Sequence, residues 1–103
     1  MIDVTIKEYY SHSMRHLNVE VNGHANYDEH GKDIVCSAVS MLVQAYAETV
    51  PNEHLFVEGH AKIESRWMYT EDNKYSGALT MLKKGLDMVS QAYPENVTIT
   101  HKH

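Results

Sequence analysis

One cysteine is present in the chain, Cys36, and it closes the segment GHANYDEHGKDIVC, which runs from Gly23 and has His24 as its second residue. A thiol and an imidazole are the pair that covalent acyl transfer needs: the thiolate attacks a carbonyl carbon and the imidazolium protonates the leaving amine. Asp33 reads as a helix N-cap, because its short carboxylate can accept a hydrogen bond from an unpaired N–H of the first turn. Cys36 then takes the third helical position, where unpaired amides favour a thiolate. That helix end supplies only about 0.3–1 kcal/mol, too little by itself to ionise a standard thiol near neutrality. An imidazole within hydrogen-bonding reach is the natural second contributor, and His24 is the best placed candidate. His24 ends a strand and Cys36 starts a helix, so the loop between them can bring both side chains onto adjacent rigid edges.

Two plainer readings stay open on the residues alone. A single cysteine on a helix is more often packed as a small hydrophobe than used for chemistry. His24, His30 and Cys36 are also evenly spaced, and zinc accepts both ligand types, although these intervals match no common short-spaced zinc motif. A second Gly-His-Ala, at Gly59-His60-Ala61, is followed by no Asp-Ile-Val-Cys, which makes His60 a strand or turn histidine. His30 reads as a surface-loop histidine, and His101 and His103 carry no catalytic spacing.

The elements that must position the pair follow from hydrophobic period. Residues 1–10 alternate, with Ile2, Val4 and Ile6 on one face, and Leu17, Val19 and Val21 repeat the pattern after a polar turn at 11–15. Asn22-Gly23 ends this hairpin with residues that tolerate unusual backbone dihedrals. From Asp33 the period lengthens: Ile34, Ala38, Leu42, Ala45 and Thr49 recur at helical spacing until Pro51-Asn52. Residues 55–61 and 62–69 read as two strands with Phe56, Val57, Ile63, Trp67 and Tyr69 as bulk, Gly59 marking a bend or bulge. A second helix is expected over 76–92, on the stripe Leu79, Leu82, Leu86 and Val89, stopped by Pro94. Val97 and Ile99 make a short last strand before a frayed polar end at 101–103. The expectation is one α+β domain over 1–103, a mostly antiparallel or mixed sheet packed by two helices in the order β-β-α-β-β-α-β.

Composition narrows the function. A chain of 103 residues, 43% apolar and without low-complexity runs, builds one small fold whose core is limited, so a partner subunit would help it. Nine basic against fourteen acidic residues, a net charge of -5, argue against a phosphate-backbone binder and suit a basic protein substrate. No Arg-rich leader, no apolar signal core and no run near the roughly 20 apolar residues of a membrane span is visible. The expectation is a cytoplasmic chain with no membrane or direct nucleic-acid partner. One cysteine cannot form an internal disulfide, so if it is functional it acts as a thiol.

The run Gly23-His24-Ala25, then Gly31, Asp33-Ile34-Val35-Cys36 and Ala38-Val39-Ser40 resembles the signature of the ribosomal-processing cysteine protease Prp family. The likeness extends over nearly the whole chain, through Gly85-Leu86 and Tyr93-Pro94. It implies a small homodimeric cysteine protease that removes a short N-terminal extension from the twenty-seventh protein of the large ribosomal subunit, without a cofactor or metal. It implies Cys36 as nucleophile and His24 as catalytic histidine, with Gly23, Ala25, Asp33 and Ser40 at supporting motif positions. Gly23 would allow a sharp turn beside His24. Asp33 is assigned orientation of Cys36 by capping, and Ser40, one turn beyond, is not assigned a catalytic role. No third triad member is evident, and amides near the helix start are the candidate oxyanion donors. The family's substrates resemble a polar lead followed by paired phenylalanines before a small residue, which calls for an apolar groove, with Tyr27 or partner residues as possible lining. The polar segment 26–32 would be a flap over the bound peptide. The competing class is a noncatalytic ribosome-assembly or protein-binding module that engages the same precursor, with Cys36 packed in its helix.

Overall fold

The structure is a computed structural model and describes residues 1–25, 28 and 33–103; the flap expected over 26–32, Tyr27 and His30 included, lies outside the described residues except for Asp28. The elements are β1 (Ile2–Ser11), β2 (Met14–Asn22), α1 (Ile34–Thr49), β3 (Asn52–Val57), β4 (His60–Met68), a 3-10 turn (Tyr69–Glu71), α2 (Asp72–Ala92) and β5 (Val97–Lys102). The order is the expected β-β-α-β-β-α-β. Five strands form one sheet in the order β3-β4-β2-β1-β5, antiparallel throughout except for the β1–β5 pair, which is parallel.

Strand alternation decides which face meets the helices. Ile2, Val4, Ile6, Leu17, Val19, Ile63, Trp67 and Val97 point inward and are buried, while Asp3, Lys7, Lys62, Glu64 and Arg66 face solvent. Val35, Val39, Val43, Tyr46 and Ala47 of α1 and Leu79, Leu82 and Leu86 of α2 close the core from the other side. The helices meet at Gly85, where an added Cβ would fall 2.6 Å from Leu42 Cδ2. One polar chain crosses this core: the Tyr46 hydroxyl donates to Ser65 Oγ at 2.8 Å, and Ser65 donates to Leu17 O at 2.7 Å. Burial pushes the Tyr46 hydroxyl's pKa well above its ordinary value, against the opposing effect of the Ser65 bond.

At the end of the sheet formed by the β1–β2 turn, charged groups join the hairpin to α2. Arg15 donates to Glu8 at 3.2 Å and to Asp72 at 3.1 Å, Lys83 bonds the other Glu8 oxygen, and the Trp67 indole donates to Asp72 at 2.9 Å. Burial alone would push the Glu8 carboxyl up, but Lys83 and Arg15 together outweigh it and hold Glu8 below its ordinary value. Asp72 is held below its ordinary range by the Trp67 bond first and Arg15 second.

Several boundaries differ from expectation. The first turn contracts to His12-Ser13, both at positive φ (53° and 63°), because the primed two-residue turn matches the strand twist and lets Ser11 pair with Met14. The break between the middle strands lies at Glu58-Gly59 rather than after Ala61, with Gly59 at φ +75° as the turn residue. β3 starts already at Asn52, whose side chain donates to the Ala47 and Val50 carbonyls at the end of α1 while its backbone pairs with Ser65. α2 begins at Asp72, one turn before Ser76, since Tyr75 packs on Trp67 at 5.6 Å and holds a polar first turn that carries little apolar signal. The end expected to fray is also paired, as His101 and Lys102 extend β5 along Ile6 and Lys7.

Candidate active site

α1 starts where its sequence asks it to. Asp33 sits at the N-cap with extended backbone, and its Oδ1 accepts from Val35 N at 2.9 Å and Cys36 N at 3.0 Å, the second and third residues of the helix. Its Oδ2 accepts from Asp28 N at 3.3 Å. The carboxylate is buried, 6% exposed, so it acts as a rigid bracket on the amide of the cysteine. Cys36 is half-buried at this helix start, with its thiol toward a cleft.

The opposite bank is the end of β2. Gly23 turns the chain at φ +93°, and a Cβ there would lie 2.3 Å from the Met1 carbonyl oxygen, so only glycine fits. The turn delivers His24, which is solvent-exposed, and Ala25, which is buried. Ala25 N–H donates to Cys36 Sγ at 3.2 Å, tying the histidine segment directly to the thiol.

His24 and Cys36 both line a cleft of about 720 Å³ between α1 and the β3–β4 end of the sheet. Its polar edge includes Ser40, exposed one turn along α1 from Cys36. Ser37, next to Cys36, bonds back into the helix, its hydroxyl donating to Asp33 O at 3.1 Å. The apolar wall comes from Met41, Val43, Phe56 and Val57, of which Met41, Phe56 and Val57 are exposed within this chain. That wall is a groove of the kind apolar peptide side chains require. The Phe56 and Val57 side of it was legible only as strand bulk.

The oxyanion donors were expected among the amides near the start of α1. The Val35 and Cys36 amides are occupied by Asp33 Oδ1, and the Ser37 amide by Asp33 O at 3.1 Å, whereas the amide bonded to the sulfur is that of Ala25, from the other bank. Two positioning residues were also not foreseen. Asn96, between α2 and β5, donates through Nδ2 to Ala25 O at 2.8 Å, and its own carbonyl accepts from Ile2 N at 2.8 Å. Gly59 lies against the His24 ring and accepts from Gly23 N at 2.9 Å. The repeated Gly-His-Ala was the visible trace of the second; nothing local marked the first. His60 itself sits on β4, where its Nδ1 lies 2.6 Å from Asn22 Oδ1.

Among the described residues no group of three or more His, Cys, Asp or Glu side chains could hold a metal ion, and His30 is not among them. No described helix is long and apolar enough to cross a membrane.

Comparison with known proteins bears on this geometry. A stretch of 43 residues is 46% identical to the ribosomal processing cysteine protease Prp of Bacillus subtilis (strain 168), covering 42% of this chain and 37% of that protein. The match therefore spans well under half the length of that curated relative. Among solved structures, an essential ribosomal processing protease Prp from S. aureus, in complex with a covalently linked product peptide, aligns with a TM-score of 0.79. That pair is 24% identical, over 99% of this chain and 100% of the other, which speaks for the fold. A protein from Streptococcus mutans, 26% identical, aligns with a TM-score of 0.73 over 99% of this chain and 94% of its own. The family described as Cysteine protease Prp matches residues 1–98, nearly the full length, and the chain belongs to that family.

Proposed function

We propose that this protein is a cysteine endopeptidase that removes the N-terminal extension of a large-subunit ribosomal protein through a Cys36–His24 dyad. The observation that carries this reading is the Ala25 amide on Cys36 Sγ at 3.2 Å, which ties the residue after His24 to the cysteine, while His24 and Cys36 line one cleft. The thiol proton passes to His24, and the thiolate attacks the scissile carbonyl carbon, forming a C–S bond. His24 returns the proton to the leaving amine as the C–N bond breaks. It then takes a proton from water, whose oxygen displaces the thiolate from the thioester. Among the described residues, the Ala25 amide is the backbone donor from which the Cys36 sulfur accepts.

The groove of Met41, Phe56 and Val57 takes the aromatic residues that precede the cut. Asp33 orients Cys36 through its amide, Gly23 permits the turn before His24, and Ser40 borders the bound peptide. The enzyme works in the cytoplasm as a homodimer, with no cofactor, nucleic acid or membrane in the reaction.

The test is mass spectrometry of the precursor, or of a peptide bearing paired phenylalanines before a small residue, incubated with purified protein. Wild-type cleavage is expected, with Cys36→Ala inactive and His24→Ala losing nearly all turnover. Cleavage unchanged by Cys36→Ala would remove the nucleophile assignment. A stable complex with wild-type protein and no product would turn the reading to a noncatalytic binding module. Sedimentation equilibrium checks the dimer.

A further inference from the structure

The two Gly-His-Ala segments of this chain are brought into contact. β2 and β4 pair so that Asn22 stands opposite His60, and the turn carrying Gly59 folds onto the residues that follow Asn22. Gly23 N–H donates to Gly59 O at 2.9 Å, and His60 Nδ1 meets Asn22 Oδ1 at 2.6 Å. Gly59 itself is at φ +75° in the two-residue turn between Val57 and His60. A Cβ added there would lie 3.3 Å from His24 Nε2, 3.9 Å from Cε1 and 4.0 Å from Cδ2. The Nε2 edge of the imidazole therefore faces the side of Gly59 where a Cβ would stand, so close that an added Cβ would require the ring to give by a few tenths of an ångström. The same residue lines the cleft that holds Cys36.

We infer that Gly59 is a positioning residue for the dyad: its missing side chain sets where the His24 ring lies, and its carbonyl holds the turn that delivers His24. The inference rests on the protease reading for its effect on turnover, but the contact itself does not. Two separate demands meet at this position. The turn asks for positive φ, and the ring asks for the absence of Cβ. Asparagine meets the first demand better than alanine does, because its short polar side chain tolerates the left-handed region, and it fails the second equally.

Gly59→Ala and Gly59→Asn should therefore differ in stability and agree in catalysis. Three quantities are measured for each: the melting temperature, kcat and KM on the peptide substrate, and the ring nitrogen resonances of His24 by long-range proton–nitrogen NMR. The expected result is a fall in kcat of about tenfold or more in both variants, since small displacements of a reacting group are costly, with KM changed by less than about threefold. Both variants should shift the His24 ring signals, and Gly59→Asn should keep more of the melting temperature than Gly59→Ala. Wild-type kcat with unmoved ring signals, or a kcat loss that follows the melting temperature from one variant to the other, would overturn the assignment. If the wild-type protein cleaves nothing, the protease reading fails on its own. The NMR result then decides the contact: shifted signals support it and unmoved signals reject it.

Discussion

Removing the Asp33 carboxylate separates two things it could be doing, holding the helix and holding the cysteine. In the structure one oxygen accepts from Val35 N and Cys36 N at 2.9 and 3.0 Å, and the residue is only 6% exposed, so water cannot easily replace it. N-cap deletions cost about 0.5–2 kcal/mol, and the buried double bond places Asp33→Ala in the upper half of that range, about 1–2 kcal/mol. For a domain of this size that is a fall in melting temperature of about 4–16 °C. Asp33→Asn keeps a cap oxygen for both helix amides and gives up the weaker 3.3 Å bond from Asp28 N, so its loss should be below about 1 kcal/mol. Catalysis should follow the same order. Asp33→Ala frees the Cys36 amide and lowers kcat/KM by about tenfold or more, while Asp33→Asn retains most activity, because the bracket and not its charge orients the thiol. Thermal melts followed by circular dichroism and cleavage kinetics on the folded variants measure both effects. Equal damage from Asn and Ala would refute orientation by capping and make the negative charge the active ingredient; an unchanged melting temperature in Asp33→Ala would refute the cap itself.

Two further perturbations act away from the sulfur. Because Lys83 and Arg15 depress Glu8, the native state resists protonating it; the stability it contributes is present above its ordinary value of 4.5 and is lost as pH falls through the lower folded value. Urea midpoints should drop across that acid range, and Glu8→Gln should start lower at neutral pH and fall less steeply, with Asp72 retaining part of the slope in the same sense. An unaltered slope in Glu8→Gln would exclude Glu8 as its source. Asn96→Ala removes the 2.8 Å bond to Ala25 O and should cost about 1 kcal/mol in stability with a several-fold loss of cleavage rate, because Ala25 carries the amide on Cys36 Sγ. Wild-type cleavage kinetics in that variant would show that the segment is held without it.

Much of this protein was decided by short-range pattern. Alternation in residues 2–6 and 17–21, the helical period after Asp33 and the stop at Pro94 each express a local period or cap, so the element order, the two-helix α+β class and the place of Cys36 in the first turn were readable along the chain, although α1 buries Val35, Val39, Val43, Tyr46 and Ala47 and not the expected stripe Ile34, Ala38, Leu42, Ala45 and Thr49. So was the resemblance carried by GHA and DIVC. Two of the missed boundaries fell where a partner outside the segment sets them: Asn52 is strand because Ser65 pairs with it, and Asp72 opens its helix where Trp67 and Arg15 bond it. Only the tertiary structure decided which residues support His24 and Ala25. Parallel pairing of β1 with β5 brings Asn96 to Ala25 across 71 residues of chain, and the register of β2 on β4 sets Gly59 beneath His24. Periodicity reports which face a residue turns to the core, but not the partner strand or the register. Those are chosen by the sum of all cross-sheet contacts at once, so the supports of His24 and Ala25 have no signature in their own neighbourhood.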